Sequence, residues 1–204
     1  MPNPGVIPTL LTTLTGYPGS TTVNNFYSLP SLLANVDEYF RGLIAHPYSG
    51  DLLVGEAPGW AGCALTGIPF TSEHVISSSP HPFLRGLHSR LAIGGNQSEP
   101  TATMVWDSIG RSSRLPAFWN AFPFHPHYSG SYRNRPPTRM EKAFGATVLG
   151  IVIHILTPGR IFAVGRTAQC TLRTHLSLAA PYIRHPSNGG RPGFLSGLAV
   201  YNVV

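Results

Sequence analysis

Short apolar runs recur along the chain, and glycine, proline or polar residues follow each of them. Leu52 to Val54 precede GEAPG, Ala117 to Phe122 read AFWNAF, Ile161 to Val164 precede Gly165, and Tyr182-Ile183 precede an Arg-His-Pro triplet. Runs of this length, rich in β-branched and aromatic residues and bounded by turn formers, predict buried strands.

The segments between these runs have the apolar spacing of helices. The pattern predicts helices over 29–45, 100–109, 139–156 and 167–179, and Pro100 suits the first helical position of the second. Strands that alternate with helices are typical of an α/β domain. We therefore expect a three-layer αβα fold around a four-stranded, mainly parallel sheet, with a ligand site at the carboxyl ends of the strands.

Composition favours one ordered domain over residues 1–204. Of the 204 residues, 42% are hydrophobic, and 22 Gly and 20 Pro are too few for a structureless chain. Residues 1–25 contain prolines and lack the positive start of a secretory signal, so we expect an irregular N-terminal arm. The longest uncharged apolar run, 143–156, is too short to cross a bilayer. We expect a cytoplasmic protein, associated with the nucleoid in a bacterial cell.

Positive charge is concentrated in the later part of the chain. Residues 85–204 hold 13 basic and three acidic side chains, whereas residues 1–84 hold one Arg and five acids. This distribution suits a polyanionic partner such as nucleic acid. Because 13 of the 14 basic residues are Arg, the preference of a high-GC genome for Arg is an alternative explanation.

Glycine and proline are most concentrated in the segment GEAPGWAGCALTGIPF at 55–70, which directly follows a predicted strand. Glycine and proline fix a tight turn and let the backbone approach a ligand closely. The segment contains neither GxxxxGK[ST] nor GxGxxG, which argues against nucleotide hydrolysis. Taken alone, it also suits an ordinary surface loop.

The same segment resembles the first motif of the uracil-DNA glycosylase superfamily, a post-strand loop of the type G-x-[DNA]-P-G that ends in G-x-P-F. The matching residues are GEAPG at 55–59 and GIPF at 67–70. The second motif, His-Pro-Ser, matches residues 185–187, and Asn120 matches an Asn expected after an intervening strand. The loop spacing is most similar to the single-strand-selective monofunctional branch, and the GEAPG wording to the iron-sulfur branch. The resemblance implies the superfamily's α/β fold and the removal of a base from DNA.

The resemblance also implies a role for each matching residue. A stacked base must be rotated into a pocket before its glycosidic bond can be reached. Phe70 would stack on that base, and the Asn120 amide would read the O4 and N3–H edge of uracil. His185 would donate to O2, where negative charge develops as the bond breaks. The structural alternatives are a core Phe, an Asn that caps a strand end and an ordinary satisfied His. The wall of the base pocket would comprise Gly55, Ala57, Pro58 and Gly59. The loop that enters the minor groove would comprise Ser187, Asn188, Gly189 and Arg191. Arg191 would fill the gap left by the base.

One departure from the family pattern concerns the attacking water. Related enzymes carry an Asp or Asn at the position of Ala57, whose methyl group cannot hold water. Glu56 is the only carboxylate in the motif and our candidate for water positioning or oxocarbenium stabilisation, with Glu73 second. The alternative for Glu56 is a structural role.

Several chemistries are not expected. Lys142 is the only lysine and lies on a predicted surface helix, which argues against a Schiff base and strand cleavage. The two cysteines, Cys63 and Cys170, cannot bind an iron-sulfur cluster, and the FHPH histidines, His125 and His127, lack neighbouring ligands. We expect neither a cofactor nor a metal.

These features predict a monofunctional DNA glycosylase that acts as a monomer on single- or double-stranded DNA and begins base excision repair. The sequence does not decide whether the excised base is uracil, 5-hydroxymethyluracil, xanthine or hypoxanthine, because Gly59 leaves room at C5. The alternative is a module of the same fold that recognises uracil or an abasic site with little turnover, in one version through covalent attachment of the sugar to His127. A third possibility is an α/β protein unrelated to DNA.

Overall fold

The computed structural model of the protein describes residues 1–46, 48–110, 112 and 114–203. Short 3-10 helices lie at Pro4–Val6 and Phe26–Ser28. The strands are β1 (Val23–Asn24), β2 (Tyr48–Gly55), β3 (Leu115–Asn120), β4 (His125–Pro126), β5 (Arg160–Val164) and β6 (Tyr182–Ile183). The α-helices are α1 (Ile7–Thr15), α2 (Pro30–Ala45), α3 (Cys63–Thr66), α4 (Glu73–Ser78), α5 (Pro82–His88), α6 (Pro100–Ile109), α7 (Arg139–Leu156), α8 (Arg166–Leu176) and α9 (Arg191–Val200).

The central sheet has four parallel strands in the order β3-β2-β5-β6, and helices flank it. The expected α/β fold with a parallel sheet is confirmed. Strand β2 lies in the middle, and its residues Leu52, Leu53 and Val54 are almost completely buried. A parallel strand covered on both faces has no solvent side, which explains why it reads as a continuous apolar run.

The register of the sheet brings the sequence motifs together. Gly55 at the end of β2 pairs with Asn120 at the end of β3. On the other side, Val164 of β5 pairs with Ile183 of β6, two residues before His185. All of these strands point the same way, so the loops that follow them meet at one edge.

The N-terminal segment differs from the sequence prediction. An irregular arm over 1–25 was expected, but α1 occupies 7–15 and buries Ile7, Leu10 and Leu14 completely. Pro8 is tolerated because it lies in the first turn, where its missing N–H has no intrahelical partner. The three buried residues form one stripe of the helix, which packs against α2 and α7.

The Pro-rich stretch 123–138 is more ordered than the sequence indicates. Strand β4 pairs antiparallel with β1, and the following residues form a hairpin in which His127 bridges to Asn134. Arg135 ties this hairpin to α7 through an ion pair with Glu141, at 2.6 Å. Burial would raise the pKa of Glu141, but hydrogen bonds from Arg135 and Thr138 outweigh it and lower that pKa.

Helix α7 offers a test of how closely it packs on the end of β3. A Cβ at Gly145 would overlap the Ala121 carbonyl oxygen, whereas a Cβ at Gly150 would meet nothing within 4 Å. We expect Gly145→Ala to lower the free energy of unfolding by about 1–3 kcal/mol through overpacking. Gly150→Ala is the matched control and should raise it by about 0.5–1 kcal/mol, since Ala is the better helix former. Urea denaturation of both variants measures the difference, and equal effects would show that the helix does not depend on this contact.

Candidate active site at the carboxyl edge of the sheet

A cavity of about 280 Å³ opens where the loops after β2, β3 and β6 meet. The start of α6 and one residue of the 127–134 hairpin complete its wall. The lining residues are Ala57, Pro58, Gly59, Cys63, Phe70, Thr71, Glu99, Thr101, Asn120, Asn134, His185 and Ser187. The cavity therefore brings together seven of the residues for which the sequence predicts a site role, drawn from three separate motifs.

Phe70 presents its ring to this cavity from a constrained backbone. Its φ of 55° lies in the left-handed region, and the Trp106 indole N–H holds its carbonyl oxygen at 3.0 Å. The Phe70 ring lies 5.4 Å from Phe118 and 6.4 Å from His185, centroid to centroid. It is half-buried and packs against the edge of the core, with one side free to meet a ligand.

Gly55 is required beneath this ring. A Cβ at this position would lie 2.5 Å from Phe70 Cζ and 2.8 Å from Asn120 Oδ1. Gly55 does not itself line the cavity, but its missing side chain allows Phe70 and Asn120 to approach the strand end.

Asn120 is only 5% exposed, yet its side-chain amide makes no hydrogen bond among the described residues. Buried amides normally find partners. The Asn120 amide therefore has a donor and an acceptor available for a planar ligand in the cavity.

His185 has a defined tautomer. Its Nδ1 accepts the Ser187 backbone N–H at 3.2 Å and lies 2.8 Å from Ser187 Oγ. Since Nδ1 carries the lone pair, the proton of the neutral ring is on Nε2. Burial, and secondarily the charge of Arg184, lowers the pKa of His185 to about 4. The side chain is therefore an uncharged N–H donor at neutral pH.

This environment predicts how His185 titrates. We expect a midpoint near pH 4 in a ¹H–¹⁵N NMR titration, with Nε2 protonated in the neutral form. The unfolded chain binds this proton near pH 6.5 and the folded chain only near pH 4, so the free energy of unfolding should fall as the pH drops between those values.

Urea denaturation at pH 7 and 4.5 measures this loss of stability, and His185→Gln should lessen it. His81 and His125, whose pKa values burial also lowers, contribute in the same direction and remain in the variant. A midpoint near 6.5 for His185 would contradict the buried geometry.

A second, more polar groove of about 350 Å³ adjoins the cavity. The two share Ala57, Asn134, His185 and Ser187. The groove is also lined by Glu56, Val164, Gly165, Arg166, Thr167, Tyr182, Arg184 and Asn188. Arg166 and Arg184 give it positive charge, and the Arg166 guanidinium lies 4.6 Å from the centre of the Tyr182 ring.

Some predicted residues lie outside the cavity. Glu56 and Asn188 line only the groove, whereas Gly189 and Arg191 line neither, and Arg191 is the exposed first residue of α9. Glu73, the second candidate for holding water, lines a different cavity and accepts a hydrogen bond from the Gln97 N–H at 2.9 Å.

Several lining residues were not predicted from the sequence. Glu99 caps α6 by accepting the N–H groups of Thr101 and Ala102 at 3.1 and 2.7 Å, and that cap also forms part of the cavity wall. Asn134 lies on the 127–134 hairpin, which brings it to the cavity wall, and its Nδ2 donates to the Pro58 carbonyl oxygen at 3.0 Å. A cap is visible in sequence, but its position beside a distant loop is not.

The FHPH histidines support the motif loop. His125 is buried, and its Nδ1 lies 3.0 Å from the Pro58 carbonyl oxygen, while His127 stacks on it with centroids 5.4 Å apart. Within the described ranges, no group of three or more His, Cys, Asp or Glu side chains is placed to hold a metal. In the same part of the chain, no helix is both long and apolar enough to span a membrane.

Comparison with known proteins identifies the fold. No family model matches the chain, and no curated protein matches it. Among solved structures 24 chains match, and one of them is SMUG2 of Pedobacter heparinus, a single-strand-selective monofunctional uracil-DNA glycosylase. The chain has the fold of SMUG2. The two are 16% identical, with a TM-score of 0.66 over 97% of this chain and 98% of SMUG2. The resemblance drawn from the three motifs is thus confirmed at the level of the fold.

Proposed function

We propose that the protein is a monofunctional DNA glycosylase that removes uracil or a related deaminated base, the first step of base excision repair. One observation carries the proposal: Phe70 from the loop after β2, Asn120 from the end of β3 and His185 from the loop after β6 line a single cavity. An aromatic face, an unsatisfied amide and a neutral N–H donor are what a flipped pyrimidine needs for stacking, reading and leaving-group stabilisation.

The base would lie on Phe70, with its polar edge against Asn120. The amide carbonyl can accept from N3–H of uracil while the NH₂ donates to O4. A buried amide discriminates strongly between bases, because a base whose polar edge does not match leaves the amide without hydrogen-bond partners. Asn120 is only 5% exposed, so water cannot easily replace those partners.

His185 would act as bond breaking proceeds. The glycosidic electron pair leaves with the base and spreads onto its O2, while positive character develops on the sugar. A neutral His185 donates Nε2–H to that oxygen without adding a cation beside the positive sugar. Its hydrogen bonds to Ser187 fix the ring in advance, so little reorganisation is needed during the reaction.

The DNA backbone would run along the adjoining groove. Arg166 and Arg184 supply positive charge there, beside Ser187 and Asn188 of the predicted minor-groove loop. Gly189 continues that loop on the surface, and Arg191, the exposed first residue of α9, would take the space left by the base. We infer a single domain over 1–204 that acts as a monomer. Glu56, which lines the groove, would position water or stabilise the positive charge that develops on the sugar.

The rival function is recognition of uracil or abasic DNA without turnover. Ala57 favours it, because Ala57 lines both cavity and groove and offers no polar atom to a water molecule. In the covalent version, His127 would have to move, since it lines neither space and its Nδ1 lies 3.0 Å from the Tyr128 carbonyl oxygen.

Incubation with labelled oligonucleotides tests the proposal. Each would carry one uracil, 5-hydroxymethyluracil, xanthine or hypoxanthine, in single- and double-stranded form, and would be treated with alkali afterwards. We expect alkali-dependent cleavage with wild type, a loss of about 100-fold or more with His185→Ala, and a smaller loss with Glu56→Gln.

Three other outcomes would contradict the proposal or part of it. Tight binding without cleavage would favour the recognition module, and an adduct on a denaturing gel would identify its covalent version. Neither cleavage nor binding would mean that only the fold is shared. Full activity of Glu56→Gln would exclude a catalytic role for that carboxylate.

Two glycines in the motif loop provide a second test. Gly55→Ala should displace Phe70 and Asn120 and lower excision by about 100-fold. Gly59→Ala is the matched control, because its Cβ would meet only Glu99 Cγ at 3.9 Å, and it should retain most of the activity of wild type on uracil. Single-turnover rates compare the two, and equal rates would show that the Phe70–Asn120 geometry is not used.

A further inference from the structure

Exposed aromatic side chains are confined to one region of the molecule. Of the Phe, Tyr and Trp residues in the described ranges, only Trp60, Tyr128 and Tyr132 are exposed, at 46%, 49% and 73%. Trp60 directly follows Gly59 of the cavity wall, and both tyrosines lie on the 127–134 hairpin. Single exposed apolar residues are ordinary, but a cluster of them beside a cavity indicates a surface that meets a ligand.

Trp60 and Tyr132 form a pair, whereas Tyr128 has a different partner. The rings of Trp60 and Tyr132 lie 5.9 Å apart, centroid to centroid, with an angle of 33° between their planes. Tyr132 is largely in solvent, so most of its ring stays open beside Trp60. Tyr128 instead faces the Arg133 guanidinium, which lies 5.7 Å from the centre of its ring. The Trp60–Tyr132 pair is therefore the open aromatic surface of this region.

Both rings are carried on backbone that is held in place. A backbone hydrogen bond closes a turn over 59–62 around Trp60. The Tyr128 N–H donates to the Arg133 carbonyl oxygen at 3.1 Å and closes the tip of the hairpin that carries Tyr132. A surface that is ordered in advance loses little conformational entropy when a ligand binds to it.

The Trp60–Tyr132 pair lies next to the cavity wall and outside the groove. Gly59 and Asn134, which neighbour the pair in the chain, line the cavity, but Trp60 and Tyr132 line neither the cavity nor the groove. A DNA strand that follows the groove and turns one base into the cavity leaves the mouth past Asn134. The next base along the strand then meets the two rings.

We propose that Trp60 and Tyr132 form a stacking subsite for the unpaired base next to the extruded nucleotide, a role that rests on the proposed glycosylase function. Extrusion of the target base leaves its neighbour without a stacking partner on one side, and the two rings supply one. Every base has a π-face, so the subsite accepts all four bases. Neither side chain is a cation, so the contact adds affinity without adding to the electrostatic attraction of the groove.

Single-stranded oligonucleotides that carry an uncleavable 2′-fluoro-2′-deoxyuridine test the subsite by equilibrium binding. One is complete, and in two others a three-carbon spacer without sugar or base replaces the nucleotide on the 5′ or the 3′ side of the target. We expect wild type to bind one of the two spacer oligonucleotides about 10-fold more weakly than the complete one. Trp60→Ala and Tyr132→Ala should each bind the complete oligonucleotide about 10-fold more weakly than wild type does, and should bind that spacer oligonucleotide about equally well.

Control variants separate stacking from other causes of weaker binding. Trp60→Phe and Tyr132→Phe keep an aromatic ring and should bind within about threefold of wild type. Tyr128→Ala removes a tyrosine from the same hairpin, on the ring that faces Arg133, and should leave the affinity unchanged. The slope of log Kd against log salt concentration should be the same in all of these variants, because none of them loses a cation. Circular dichroism checks the fold of each variant.

Tryptophan fluorescence reports the contact directly. Trp106 and Trp119 are buried, so a base that stacks on the surface meets Trp60 alone among the three tryptophans. We expect the complete oligonucleotide to quench the emission of wild type more than the weakly bound spacer oligonucleotide does, both at saturation. Trp60→Phe should abolish that difference, and equal quenching of wild type by the two oligonucleotides would contradict the subsite.

The binding results separate this subsite from the glycosylase function. Wild-type affinity in both alanine variants, or an equal loss on complete and spacer oligonucleotides, would overturn the subsite, while excision by wild type would leave the glycosylase function standing. The expected binding differences in a wild type that excises no base would overturn the glycosylase function and keep the subsite as part of a recognition module. Self-association that Tyr132→Ala removes, with DNA affinity unchanged, would assign the rings to contact between copies of the chain and overturn the subsite.

Discussion

The parallel pairing of β2 with β3 and β5 is the constraint on which the site depends. It places Gly55 opposite Asn120 at one edge of the sheet, and the pairing of β5 with β6 delivers His185 to the same edge. Successive residues of a strand point to opposite faces, so a slip of one residue would turn Asn120 away from the cavity. The buried runs on β2 and β3 prevent such a slip, because it would also misplace their packed side chains.

A side chain of α2 stabilises β3 along the edge that has no neighbouring strand. The Tyr39 hydroxyl accepts the Phe118 N–H at 2.8 Å and donates to the Phe118 carbonyl oxygen at 3.1 Å. An edge strand would otherwise expose these backbone groups. The same phenylalanine side chain packs on Phe70. A residue of α2 thus stabilises the strand whose side chains support the aromatic wall of the cavity.

Sequence alone predicted the four strands of the central sheet and the four helices α2, α6, α7 and α8, but not the shorter helices, α1, the β1–β4 pair or the whole site. Runs such as Leu52 to Val54 and helix signals such as Pro100 are local, and the strands and helices they predict lie within a few residues of those observed. Helix α1 was missed because Pro4 and Pro8 suggested a break, although both lie in first turns. The motif residues were predicted because they match known sequence motifs. Asn134 and Glu99 match no motif, and only tertiary packing brings them to the cavity, from the hairpin beside α7 and from the N-terminal cap of α6.

Charge is distributed between cavity and groove in a way that suits heterolytic bond breaking. In the cavity, burial keeps His185 uncharged at neutral pH, and in the proposed reaction its N–H dipole would favour an anion without opposing positive charge on the sugar. The Glu99 carboxylate also lines the cavity, where it caps α6. The groove holds the cations Arg166 and Arg184, which can meet phosphates, together with the carboxylate of Glu56. In the proposed reaction, a cationic His185 would stabilise the departing base more strongly, but it would also repel the sugar cation formed beside it. A lowered pKa of His185 would therefore weaken the first interaction and avoid this repulsion, and the burial that lowers the pKa comes from the same packing that forms the cavity.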